Sequence, residues 1–317
     1  MLKILANDGI HATGKKMLED AGHTVVTEKV EQADLSAQLP NFDVILVRSA
    51  TKVRQELIDQ CPNLKLIGRG GVGMDNIDVD YARSKGIHVV NTPSASSRAV
   101  AELAFGHVLS LARSLHLSHQ EMPNVGNTEF KKLKKKYAGG FQLNGKKLGV
   151  IGFGRIGQET AKIGVGLGMH VLPVDLYIDK ATLELPIANT GQTISVEVPS
   201  VPMDEMLAEA DVISIHIPFG GGKAILGDEE MKKMKEGVVL VNTARGGVID
   251  EAALQSHLEN GKVRAAALDV FVGEPTPDGA LITNDKISTS PHIGAATGEA
   301  QENIGIELAE QIMDLLK

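Results

Sequence analysis

Leu148-Gly149-Val150-Ile151-Gly152-Phe153-Gly154-Arg155-Ile156-Gly157 decides the fold. Small and apolar residues from 148 to 151 specify a buried strand, and Gly152, Gly154 and Gly157 follow at the spacing G-x-G-x-x-G. The first glycine permits a tight turn, the second lets backbone approach a diphosphate, and the third lets helix and strand pack closely. The helix that opens here offers free N–H groups and the positive end of its dipole to that diphosphate. Such spacing means little alone, but its surroundings are complete. Residues 158–167 place Ala161 and Val165 on one helical face, His170–Val174 reads as the next strand, and Asp175 closes it 18 residues after Gly157. A carboxylate there accepts both ribose hydroxyls of an adenosine and repels a 2′-phosphate. Leu176 and Tyr177 follow instead of an arginine, so the expected cofactor is NAD rather than NADP.

With 317 residues the chain suits two domains and a sizeable core. Its formal net charge of −8 leaves no footprint for nucleic acid, and the basic run Lys131–Lys136 reads as a solvated helix face. The single cysteine, Cys61, precludes an internal disulfide and fits a reducing compartment. No basic-then-apolar leader follows Met1 and no apolar run reaches membrane length, so a cytoplasmic protein without a membrane partner is expected.

Before residue 97, apolar runs at Ile4-Leu5-Ala6, His23–Val26, Val44–Val47, Lys65–Ile67 and His88–Val90 alternate with helical stretches such as Thr13–Ala21 and Arg54–Gln60. That alternation predicts a parallel sheet covered on both faces. Residues 98–112 read as a long apolar helix, capped by Ser96 or Ser97, that bridges the domains, and the polar stretch 113–145 reads as an extended arm or loop. Beyond the glycine turn, Asp211–His216, Val238–Asn242 and Arg264–Asp269 continue the parallel strands, and 180–200 reads as a polar excursion or surface hairpin. The tail Thr297–Leu316 aligns Ile304, Leu308, Ile312 and Leu315 on one helical stripe. Packed back on the first domain, that helix makes the first domain discontinuous. The predicted architecture is α/β with two domains: a Rossmann-type doubly wound cofactor domain (98–291) inserted into a flavodoxin-like substrate domain (1–97 plus 292–317).

Four constellations fall at predicted strand ends or loops, where α/β sheets build their sites. Asn242-Thr243-Ala244-Arg245-Gly246-Gly247 presents an arginine fork suited to a carboxylate, or a surface arginine in a glycine turn. Asp269 and Glu274 follow a buried strand, as site acids or as cap and loop acids. His292 lies in Ser290-Pro291-His292-Ile293-Gly294, as catalyst or as structural histidine. Gly68-Arg69-Gly70-Gly71-Val72-Gly73 forms an anion nest or a flexible loop.

Taken together these residues resemble one family, the D-isomer-specific 2-hydroxyacid dehydrogenases, nearly end to end. Val47–Val53, Gly68–Asp75, Asn91-Thr92-Pro93, Arg98–Glu102, Phe130–Ala138 and Leu143–Lys146 resemble its phosphoglycerate-oxidising branch. The resemblance implies His292 as acid/base, Glu274 as its partner, and Arg245 as substrate anchor and carbonyl polariser. It places Asp269 beside the nicotinamide carboxamide, and Val72 and Gly73 at the substrate carboxylate, with Val72 also touching the cofactor. Arg48 and Ser49 match positions near a substrate phosphate. Arg155 and Ile156 join the three glycines at the diphosphate, Asp175 takes the ribose, and His216, Ile217, Pro218, Thr243, Ala244, His292, Gly294 and Ala295 wall the nicotinamide end. No metal is implied. Phe219-Gly220-Gly221-Gly222-Lys223 departs from the family's polar, threonine-containing loop. The chain ends one helix after His292, so serine feedback through a C-terminal regulatory domain is not expected.

The chemistry agrees with these residue types. Oxidising a 2-hydroxy acid removes a hydroxyl proton, and a well-placed histidine is worth about 10²–10⁴-fold in such a transfer. A glutamate steadies the imidazolium, and an arginine holds positive charge where oxygen becomes polarised. Excluding water calls for domain closure about junctions near residues 97 and 292. The expected reaction is oxidation of 3-phospho-D-glycerate to 3-phosphohydroxypyruvate, the first step toward serine, by a homodimer joined through the 113–145 arm. The alternatives are a glyoxylate or hydroxypyruvate reductase of the same family and a dinucleotide-sensing, corepressor-like binding protein.

Overall fold

Apolar runs of three to six residues, most of them followed by a helix, build two all-parallel sheets in the computed structural model, which describes residues Met1–Lys317. The chain divides into Met1–Ala99 with Ala295–Lys317, and Val100–Gly294.

The first unit holds β1 (Lys3–Ala6), β2 (Thr24–Val26), β3 (Val44–Val47), β4 (Leu66–Arg69) and β5 (His88–Asn91) in the order β2-β1-β3-β4-β5. That is the flavodoxin-like order. Alternate residues of each strand feed opposite layers of core. Leu5, Ile45, Val47 and Ile67 meet Leu35, Leu39 and Leu57 on one face. Ile4, Val44, Leu46 and Leu66 meet Ile304, Leu308 and Ile312 of the terminal helix Gly298–Leu315 on the other. The tail therefore returns to the first sheet. Leu315 departs from the expected stripe: in the last helical turn it stays 41% exposed.

The second unit holds β6 (Lys147–Ile151), β7 (His170–Val174), β10 (Val212–Ile215), β11 (Val238–Asn242), β12 (Val263–Leu268) and β13 (Ile287–Thr289) in the order β13-β12-β11-β10-β6-β7. The chain reverses its winding between β6 and β10, and an open parallel sheet binds ligands outside its strand ends at such a switch point. No third strand is added beyond β7. The next segments, β8 (Lys180–Ile187) and β9 (Gln192–Pro199), pair antiparallel as a hairpin, rooted in the core through Leu183 and Val198. The expected surface hairpin is thus present.

Residues 113–145 correct the expectation of an extended arm, because Leu115–Val125 and Phe130–Lys136 are helices. The first buries none of its residues and the second buries only Leu133, so neither carries the apolar stripe by which a helix is recognised. The junction also differs from expectation. It falls after Gly294 rather than before His292, because the N–H groups of His292, Ile293 and Gly294 are all bonded to Asp269, beyond the end of β12.

Candidate functional site

Every motif of the second unit opens at the carboxyl end of a parallel strand. After β6, Gly152 adopts φ +89°, and a side chain there would meet the His216 carbonyl at 2.6 Å. At Gly157 an added Cβ would lie 2.0 Å from the Gly152 carbonyl, so helix Arg155–Gly166 crosses β6 at a distance only glycine permits. Gly154, the N-cap, has open space beside it and no side chain capping the helix. An uncapped helix start facing open space fits a diphosphate. Arg155 and Ile156 form its first turn.

The Asp175 carboxylate, expected at the ribose, accepts from Phe153 N at 2.6 Å, Tyr177 N at 2.9 Å and Ile178 N at 3.2 Å. It ties the glycine turn to the end of β7. Leu176 and Tyr177, beside it, are 89% and 92% exposed. After β10 come His216, Ile217 and Pro218. His216 Nε2 bonds Ser214 Oγ at 2.9 Å, and burial without countercharge pushes its pKa down to about 3. Its Nδ1, like Thr243 Oγ1 after β11, is buried without a partner in the chain. Two orphaned polar atoms on the expected cofactor wall fit a polar group of bound NAD.

Arg245 is shaped by Asn242, at the head of the same turn. Buried Asn242 accepts from Ala244 N at 3.0 Å and donates to the Arg245 carbonyl at 2.8 Å, closing the turn from both sides. One guanidinium nitrogen donates to the Ala244 carbonyl at 2.7 Å. Gly246 then packs on the Phe271 backbone, where a Cβ would meet the Phe271 carbonyl at 2.1 Å. Glu274 accepts from Phe271 N at 2.9 Å through Oε1 and pairs with His292 Nδ1 at 2.8 Å through Oε2. His292 and Glu274 are 41% and 35% exposed. His292 has φ +54°, uncommon for a residue with a side chain.

Asp269 is 1% exposed, and its carboxylate faces the chain itself. It accepts from Ser290 Oγ at 2.5 Å and from the N–H groups of Ile293 and Gly294 at 2.9 Å each. These bonds tie Asp269 to the turn that carries His292. A buried aspartate followed by S-P-H-x-G was the only sequence signal for it.

The first unit carries the other expected residues at the ends of β3 and β4. Arg48 lines a cavity of about 260 Å³ with Asp8, His11, Gly70 and Gln301, and its backbone N–H donates to Asp8 Oδ2 at 2.7 Å. Ser49 is exposed. The loop bearing Val72 and Gly73 is tied back by its carbonyls, Gly71 to Thr92 N at 3.1 Å and Val72 to Asn91 Nδ2 at 2.6 Å. Ala295 begins the return segment, its carbonyl taken by Gln301 Nε2 at 2.7 Å. No helix is long and apolar enough to cross a membrane.

A doubly wound parallel sheet with this glycine turn and orphaned polar wall is the frame of a dinucleotide-binding protein. Residues 105–294 match the model of the D-isomer-specific 2-hydroxyacid dehydrogenase NAD-binding domain. The whole chain is 42% identical to D-3-phosphoglycerate dehydrogenase of Methanocaldococcus jannaschii, of which it spans 58%. It is also 42% identical to hydroxypyruvate reductase of Thermotoga maritima, over 98% of this chain and 97% of that protein. Among solved structures, D-lactate dehydrogenase from Aquifex aeolicus, complexed with NAD and lactic acid, superposes with a TM-score of 0.76 at 29% identity, over 99% of this chain and 95% of that one. The protein belongs to the D-isomer-specific 2-hydroxyacid dehydrogenase family, and its cofactor is NAD.

Proposed function

We propose that this protein oxidises 3-phospho-D-glycerate to 3-phosphohydroxypyruvate, the reaction that leads toward serine. The observation that carries the chemistry is the 2.8 Å contact between His292 Nδ1 and Glu274 Oε2. A carboxylate there keeps the proton on Nδ1 and leaves Nε2 as the base. His292 takes the hydroxyl proton. Arg245 grips the substrate carboxylate and stabilises the oxygen as it becomes a carbonyl. Bound NAD supplies the acceptor for the hydrogen on the same carbon. Gly152, Gly154, Arg155, Ile156 and Gly157 hold its diphosphate, and Asp175 its ribose.

Arg48 and Ser49 support the phosphorylated substrate, with Val72 and Gly73 offering N–H groups to the carboxylate. The relative from Methanocaldococcus jannaschii favours the same reading. The one from Thermotoga maritima, matched along nearly its whole length, favours hydroxypyruvate reduction instead. Steady-state kinetics separate the two. A kcat/KM for 3-phosphoglycerate at least tenfold above that for D-glycerate and D-lactate, with the preference lost in Arg48→Ala, is expected. Equal or better use of the unphosphorylated acids would overturn the substrate assignment. Helices Leu115–Val125 and Phe130–Lys136 expose Leu115, Met122 and Phe130, which suits the homodimer contact. A monomeric mass by light scattering would dismiss that contact.

A further inference from the structure

We propose that His107, on helix Ser97–Ala112, is a positioning residue for the acid/base turn, acting through Ser290 and Asp269 on the backbone that presents His292. The proposal rests on His292 as the acid/base. His107 is 7% exposed, and both ring nitrogens are engaged. Nδ1 lies 2.8 Å from Ser288 Oγ and Nε2 lies 2.9 Å from Ser290 Oγ.

Hydrogen counting gives this chain of bonds one direction. The Asp269 carboxylate already accepts two backbone N–H groups, from Ile293 and Gly294. It accepts a third donor 2.5 Å away, so the single Ser290 hydroxyl proton points at Asp269. The Ser290 oxygen must then accept, and His107 Nε2 carries the proton that it accepts. Burial disfavours the charged ring, so Nδ1 is bare and accepts from the Ser288 hydroxyl. The relay runs Ser288 to His107 to Ser290 to Asp269, each group donating to the next.

The far end of this relay is the turn itself. Asp269 holds it through its carboxylate and also through its carbonyl, which accepts His292 N at 2.9 Å. His292 is thereby kept at φ +54°, a conformation that persists for a non-glycine residue only where neighbours over-determine it. Without a donor at His107 Nε2, the half-buried Ser290 oxygen loses a partner, and its hydroxyl is free to turn away from Asp269. The Ile293 and Gly294 bonds then rest on a carboxylate no longer pinned at Oδ1. Ring placement of His292 relaxes, while the glycine turn after β6 is untouched.

Three variants test this: His107→Phe, His107→Gln and Ser290→Ala. Glutamine restores one N–H donor near the Nε2 position; phenylalanine keeps the bulk alone. Two readouts are taken, steady-state kinetics with NADH affinity, and amide hydrogen exchange at Ile293 and Gly294. His107→Phe and Ser290→Ala are expected to lower kcat at least tenfold, with substrate KM and NADH affinity within twofold of wild type. They should speed exchange at both amides at least tenfold, and His107→Gln should recover at least a third of kcat. Should His107→Phe fail to fold, Ser290→Ala removes one oxygen and carries the same expectation. Wild-type exchange at both amides in His107→Phe or Ser290→Ala overturns the proposal. So does equal impairment of the Gln and Phe variants with KM and NADH affinity worsening in parallel. If the wild-type protein turns over no 2-hydroxy acid, the reading of His292 fails, and the exchange data still decide whether the relay holds the turn.

Discussion

Replacing Glu274 by glutamine preserves the side chain's shape and changes only what its two terminal atoms do. In the structure Oε1 accepts from Phe271 N at 2.9 Å and Oε2 faces His292 Nδ1 at 2.8 Å. A carboxylate serves both donors. A carboxamide has one oxygen and one NH₂ group, and must choose. If the oxygen stays on Phe271 N, the NH₂ faces Nδ1, and the neutral ring carries its proton on Nε2, where it cannot act as base. If the oxygen turns to Nδ1–H, the NH₂ opposes the Phe271 N–H, at a cost of about 1–3 kcal/mol for the unmade bond. Losing the charge beside the imidazolium adds about 1 kcal/mol, because the pair is more than a third exposed and solvent screens it. At about 1.4 kcal/mol per factor of ten, kcat/KM falls roughly 30- to 1000-fold. The equilibrium constant is not the enzyme's to change, so oxidation and reduction at one pH must decline together. The assay is initial-rate kinetics in both directions on a variant whose circular dichroism melt matches wild type. Retention of more than a third of the wild-type kcat/KM would refute the argument, because it would mean that His292 does not need a carboxylate at Nδ1.

Gly157→Ala forces a Cβ to within 2.0 Å of the Gly152 carbonyl, so the diphosphate turn must shift. A stability loss of about 1–3 kcal/mol by denaturant titration and at least tenfold weaker NADH binding by fluorescence are expected. Arg245→Lys keeps the charge and loses the planar fork; kcat/KM for the acid should drop roughly 10²-fold, about the worth of one preorganised charge donor, with NADH affinity within twofold by the same titration. His216, pushed down to about 3 from 6.5, stays neutral in the fold while the unfolded chain takes up its proton. Stability is therefore full above pH 6.5 and declines as pH falls toward 3, at most about 1.4 kcal/mol per pH unit. His216→Gln should flatten the urea-midpoint profile between pH 6.5 and 4.

Much of this was legible in the residues because two signals are local. Val44–Val47 and Val238–Val241 are continuous apolar runs, the pattern of a strand buried on both faces. The glycine turn is legible because each glycine answers a separate contact, two of them now visible as distances under 3 Å. The arm helices escaped detection because a helix that buries nothing within its own chain shows no stripe. The bonding roles of Ser290 and His107 are not legible for another reason. Each acts by bonding a group brought near by folding, Ser290 across 21 positions of chain and His107 across 183, and no spacing rule registers that. Asp175 and Asp269 are legible as acids, while the backbone groups they bond are set by the fold. An aspartate that locks a turn and one that meets a ligand share one letter.

The hairpin of β8 and β9 joins the second unit at a narrow root. Ser200 returns to the start of the excursion by bonding the Asp179 carbonyl at 2.8 Å and the Ile178 carbonyl at 2.5 Å, so both chain ends enter and leave at one point. Its far end, Ala188–Gly191, is exposed, with Asn189 and Gly191 at positive φ. Loop tips of that kind accept inserted sequence. An epitope or dye-labelling tag spliced between Asn189 and Thr190 would therefore give a handle for immobilising or tracking the protein, grafted where lengthening the chain leaves the parallel sheet's spacing and its glycine crossing as they are.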